Sequence, residues 1–174
     1  VLFRSLHQVG KHSELVDQKL AWYEEKLRDL LAFARQHYDN VTLHVCSDHG
    51  MATVTDTINL GANIEATGLT FGQDYVAAYD STMARFWFMR DGARSTIERA
   101  LGAVSQGQIV EEATLKQWGC DFGDQRYGEM IFLLDPGVII CPSHMGTKPI
   151  TGMHGYSPED PDSDAVLLSS RTPS

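Results

Sequence analysis

No apolar run in the 174 residues approaches the ~20 that a membrane-spanning helix needs, so no transmembrane segment is expected. Cysteine is scarce and odd in number. Cys46, Cys120 and Cys141 show no CxxC spacing, which excludes a zinc ribbon and argues against a disulfide framework. Cys46 and Cys141 fall in apolar runs, where a buried free thiol is expected. Basic residues are also few: 14 Lys and Arg stand against 23 Asp and Glu, for a net charge of −9. Proteins that hold a nucleic-acid backbone cluster Lys and Arg on one face, so no nucleic-acid polymer is expected as a partner. A small anionic substrate stays compatible if local cations overcome that field. Internal repeats and low-complexity tracts are absent too. What is present, 43% hydrophobic and 21% charged residues, suits a globular chain able to bury one core. Seven histidines are the compositional hint of metal chemistry.

Along the chain, residues 1–12 form no clean element. From Ser13 the pattern turns helical, with Val16, Leu20, Tyr23, Leu27, Leu30, Leu31 and Ala34 at three- and four-residue spacing. Ser13 is the expected N-cap, with Glu14 and Asp17 in the first turn, and Asp39-Asn40 ends the helix near Tyr38. The β-branched run 41–46 reads as a short buried strand. A helix feeding such a strand is half of an α/β unit and suggests a parallel sheet covered by helices. Residues 58–67 read as a short helix and 94–105 as another. Runs 75–79 and 83–89 read as a hairpin. Runs 129–134 and 138–141 flank Asp135-Pro136-Gly137 and read as a second hairpin. The expected fold class is therefore α/β, with residues 59–140 forming a smaller inserted α+β subdomain. Segments 6–58 and 141–174 form the core, and 165–169 is a returning strand.

The strand at 41–46 runs directly into Ser47-Asp48-His49-Gly50-Met51, and in open α/β sheets ligands gather past the carboxyl ends of strands. Adjacent Asp48 and His49 can reach one divalent metal if the backbone bends, which Gly50 permits. Alone, the dipeptide reads more simply as a turn in which Asp caps the backbone and His faces water. Gly152-Met153-His154-Gly155-Tyr156 places a His between glycines, consistent with close approach to a metal. It too is weak in isolation.

Together the two motifs resemble the metal-binding signatures of the alkaline phosphatase superfamily, and specifically the type I phosphodiesterase/nucleotide pyrophosphatase family. Residues 75–88, 127–134 and 158–163 are also similar to segments of its bacterial members, so the resemblance covers residues 6–173. It implies an alkaline-phosphatase-like sheet covered by helices and a site for two divalent metal ions, usually zinc. Carried across residue by residue, His154 would bind one ion, and Asp48 with His49 the other. Leu6-His7, followed by Gly10 and the helix containing Trp22-Tyr23, fits an upstream family pattern. His7 is therefore the candidate for the remaining His of the first ion, with His12 as the alternative. His144 is a candidate substrate-binding residue. The implied activity is hydrolysis of phosphodiester or nucleotide pyrophosphate bonds in a small substrate by an upstream Thr or Ser nucleophile.

The chain departs from the family at one ligand. The Asp expected four residues before His7 falls on Phe3, which cannot ligate a metal. The family's early Asp and its nucleophile have no counterpart among these residues. Residues 1–5 match the translation of a widely used sequencing adaptor and are read as a non-native leader. With part of the implied ligand set and no nucleophile, this chain by itself is expected to be inactive. Two other readings stay open: a non-catalytic metal-binding or interaction module on the same scaffold, and a phosphonate hydrolase or phosphomutase of the same superfamily. Compartment and oligomeric state are left open.

Overall fold

The computed structural model describes residues 2–170, with side chains from residue 6 onward. Val1 of the expected leader and 171–174 of the expected core segment lie outside the described residues.

Residues 1–12, expected to form no element, contain helix α1 (Leu2–Val9). Gly10 closes it at φ +74°, its N–H donating to the Leu6 carbonyl at 2.9 Å. A left-handed residue ends a helix in this way, and glycine adopts that conformation without a Cβ clash. Helix α2 (Glu14–His37) then starts on Ser13, whose hydroxyl accepts the Leu15 N–H, with Glu14 and Asp17 in its first turn as expected. Only Val16 on α2 is fully buried; Leu15, Leu20, Trp22, Leu30 and Phe33 lie about half exposed.

The strand expected at 41–46 is shorter. β1 (His44–Cys46) pairs with the returning strand β10 (Leu167–Ser169), His44 opposite Ser169. The pair is antiparallel rather than parallel and has no third strand among the described residues. It is largely exposed, which leaves Cys46 exposed instead of buried; Cys120 is exposed and Cys141 half-buried.

The middle of the chain builds the main core. Asn59 accepts the Ala62 N–H to cap α3 (Leu60–Glu65). β4 (Tyr75–Tyr79) and β5 (Met83–Phe88) form the expected hairpin, Tyr75 opposite Phe88. Helix α4 (Ala93–Gly102), strand β6 (Gly107–Ile109), helix α5 (Glu112–Gln117) and strand β7 (Met130–Leu134) follow. The sheet order is β4-β5-β7-β6, antiparallel throughout. Strand alternation sends Tyr75, Ala77, Ala84, Phe86, Phe132 and Leu134 into one cluster with Leu60 and Ile64 of α3 and Ile97 and Leu101 of α4. Each fully buried large side chain there contributes about 1.5–3 kcal/mol relative to exposure. The opposite face carries Met83, Arg85, Ile131 and Leu133.

β8 (Val138–Ile140) follows the expected turn, in which the Val138 N–H donates to the Asp135 carbonyl at 3.1 Å. It does not fold back on β7. It pairs in parallel with β3 (Asp56–Ile58), Asp56 opposite Val138. The reason is burial on both faces: Val138 and Ile140 join the main core, while Ile139 joins a second cluster with Ala52, Met153 and Tyr156. A strand covered on both sides suits a parallel pairing better than a hairpin arm.

Candidate functional site

The second cluster holds the two motifs together. β2 (Ala52–Thr53) pairs antiparallel with β9 (Gly152–Met153), Ala52 opposite Met153. Asp48 and His49 lie just before β2 and His154 just after β9, so this register brings residues a hundred positions apart to one place. The His49 and His154 rings stack at 3.9 Å between centroids and 20° between planes.

His7 arrives from another direction. The α1 terminus docks on β9: the Thr151 N–H donates to the His7 carbonyl at 2.9 Å, and His7 Nδ1 donates to the Gly152 carbonyl at 2.6 Å. Gly152 is required for that approach, because a Cβ there would sit 2.5 Å from the Leu6 carbonyl oxygen. The His7 ring lies 5.3 Å from that of His154. His12, the alternative, is exposed and is not among the residues that line this cleft.

Gly50 has a different role from the bend expected of it. A Cβ there would fall 2.2 Å from the Asp162 carbonyl oxygen, and its N–H donates to the Ser163 carbonyl at 3.2 Å. It is glycine because the 160–164 loop lies directly against it. That loop is anchored by Lys11, whose ammonium meets both Asp162 carboxylate oxygens at 2.5 and 2.6 Å.

The electrostatics favour a neutral imidazole at His154. Burial, then the neighbouring His49 and His7, hold His154 below the ordinary imidazole range, with Asp48 pulling the other way. His49 Nδ1 is 2.8 Å from the Gly50 carbonyl, and Asp48 Oδ2 is 3.6 Å from His49 Nε2. An Nδ1–H bonded to a backbone carbonyl, in His7 as in His49, is an arrangement common in metal-ligating histidines. The donor types thus suit a divalent cation. Among the described residues, however, no three His, Cys, Asp or Glu side chains group so as to hold an ion by themselves. The stacked rings explain part of this, since near-parallel planes do not aim two in-plane lone pairs at one point.

His7 and His154 open on a cleft of about 500 Å³, shared with Asp80, Thr82, Met83 and Met145. His144 is exposed and does not line it; its N–H donates to the Tyr79 carbonyl at 2.8 Å. Sequence reasoning expected the turn between β4 and β5 but not its place at the site, which it joins through a 2.8 Å bond from the Thr82 hydroxyl to the Gly155 carbonyl. Only burial of Ser81 and Thr82 in a turn marks it, and burial is invisible in the sequence.

The family model for type I phosphodiesterase/nucleotide pyrophosphatase matches residues 4–157. The chain belongs to that family. Among solved structures, murine ectonucleotide pyrophosphatase/phosphodiesterase 5 is 22% identical with a TM-score of 0.76, over 95% of this chain and 44% of that one. An inactive variant of it in complex with AMP matches equally. The human counterpart is 20% identical with a TM-score of 0.74, over the same shares. The fold of this family member is accordingly α/β and alkaline-phosphatase-like. A curated relative, the 3-hydroxybenzoate 4-monooxygenase of Comamonas testosteroni, is 29% identical over 131 residues, 71% of this chain and 19% of that protein. The oxygenation in its name is said of a protein most of which lies outside the match. The chain spans under half the length of the solved structures it matches.

Proposed function

We propose that this chain carries part of a two-cation site for hydrolysing phosphodiester or nucleotide pyrophosphate bonds. The observation that carries the reading is that His7 and His154 open on one cleft, with His49 stacked on His154, in a chain of this family. His7 and His154 would hold one cation and Asp48 with His49 the other, zinc being the expected metal. Two donors per ion are assigned here, so the proposal demands no three-donor group from these residues. When bound, paired divalent cations supply Lewis-acid stabilisation of the charge that develops on a phosphoryl group.

This chain's own residues bind and orient. The Nδ1 bonds of His7 and His49 fix each ring about its Cβ and keep Nε2 as the ligating atom. Asp48 is exposed, with its carboxylate 3.6 Å from His49 Nε2. The Thr82–Gly155 bond holds the cleft wall against the His154 loop. We extend to this site a small phosphodiester or nucleotide substrate, in keeping with the AMP complex of the murine relative's inactive variant. Residues 59–140 are proposed as the inserted subdomain that supplies the cleft's far wall.

With Phe3 in place of a ligand and no nucleophile assigned, the purified 174-residue chain is expected not to hydrolyse bis-p-nitrophenyl phosphate above background in zinc. Turnover that disappears in His154→Ala would overturn that expectation and place a complete site in these residues.

A further inference from the structure

Three of the chain's six methionines, Met83, Met145 and Met153, line the same cleft of about 500 Å³ as His7 and His154. They come from three separate elements. Met83 opens β5, directly after the turn that the Thr82 hydroxyl ties to the Gly155 carbonyl at 2.8 Å. Met153 precedes His154 on β9 and is buried in the second cluster. Met145 is largely exposed on the loop after β8. That loop is held in place where the His144 N–H donates to the Tyr79 carbonyl at 2.8 Å and the Ser143 N–H to the Gly146 carbonyl at 2.9 Å. Met83 and Met145 belong to neither hydrophobic cluster, so core packing accounts for Met153 but not for them.

Among the described residues, the one carboxylate lining this cleft is Asp80. It is already engaged: Oδ1 accepts the Ser81 N–H at 3.3 Å, and Oδ2 lies 3.6 Å from an Arg85 guanidinium nitrogen. The donors left to the space are imidazoles and thioethers. Thioether sulfur is uncharged and polarisable, and together with imidazole it suits a soft cation. A singly charged ion also demands less compensation in a half-enclosed site that offers no uncommitted carboxylate. The His7 and His154 rings lie 5.3 Å apart at 52°, so the near-parallel stacking that keeps His49 and His154 from sharing an ion does not apply to them.

We propose that this cleft takes a soft monovalent cation, Cu(I), held by the imidazoles of His7 and His154 and the sulfurs of Met83 and Met145. The inference uses the placement of the two histidines and not the zinc chemistry proposed for them.

Competition for Cu(I) against bicinchoninate, without oxygen and with ascorbate, tests it. The chain is used with Cys46→Ser, Cys120→Ser and Cys141→Ser, which remove the thiols that would otherwise capture the ion. Zinc binding is followed separately by calorimetry. The chain is expected to withdraw one equivalent of Cu(I). Met83→Leu with Met145→Leu is expected to weaken Cu(I) tenfold or more and leave zinc within twofold, because leucine keeps the volume and removes the sulfur. Met145→Leu alone, at an exposed position, is expected to cost at least threefold and serves if the double variant fails to fold. His154→Ala is expected to weaken Cu(I) tenfold or more. No withdrawal of Cu(I), or affinity unchanged by the methionine substitutions or by His154→Ala, would overturn the proposal. So would a loss of zinc as large as the loss of Cu(I) in the methionine variants, which would mark a collapsed cleft rather than missing sulfur donors. If zinc does not bind while Cu(I) binding stays methionine-dependent, the two-cation reading falls and this one stands.

Discussion

Gly50→Ala is expected to destabilise the chain by about 3 kcal/mol, the upper part of the range for overpacking. The new Cβ would lie 2.2 Å from the Asp162 carbonyl oxygen and 2.9 Å from that of Asp164. Both obstacles are backbone, so no side-chain rotation relieves the clash. Either the 160–164 loop lifts or the Asp48–Gly50 segment moves. Lifting the loop breaks the Gly50–Ser163 hydrogen bond and strains the Lys11–Asp162 pair. Moving the segment carries His49 away from His154. The expected result is a lower urea midpoint with an unchanged slope, and an altered environment at the His49 and His154 rings by NMR. A midpoint within error of the parent would show that the loop is not held against Gly50.

Phe86→Ala is expected to cost about 3–5 kcal/mol, a large part of the stability of an ordinary domain. Phe86 has no solvent exposure and sits in the second strand of the four-stranded sheet. Tyr75 and Tyr79 pack against its ring at 6.4 and 6.0 Å, so truncation opens a cavity walled by rigid aromatics that cannot collapse into it. Chemical denaturation of the variant measures the cost; a change below about 1 kcal/mol would contradict a tightly filled core.

The candidate residues His49 and His154 were legible through the pairing of two short motifs, each carrying glycines whose close contacts the structure explains. Their meeting was not. β2 and β9 have two residues each, too few to carry any periodicity, and only their register brings His49 to His154. Helix α1 was missed although Leu2, Leu6 and Val9 share helical spacing and Gly10 supplies the terminator. Eight residues gave too short a window for the pattern to stand out. The partner of β8 was misread because Asp135-Pro136-Gly137 is an effective turn, and turn chemistry says nothing about whether the next strand folds back. Its two-sided apolar content, Val138-Ile139-Ile140, was the better signal. The exposure of Cys46 had no sequence signature. The run 41–46 has a strand's composition, and its burial depends on what stacks beside it.

The turn at residues 80–83 is tied to Gly155 and lines the histidine cleft. Its position gives the middle of the chain a part in the site that the motifs alone do not reveal.

Zinc titration of the purified chain by calorimetry, beside His154→Ala and His49→Ala, tests the central claim most directly. The account predicts saturable zinc binding that either substitution weakens by at least about tenfold, the lower end of what even outer-shell changes cost at metal sites. Zinc binding unaffected by both substitutions, or no zinc binding at all, would contradict it.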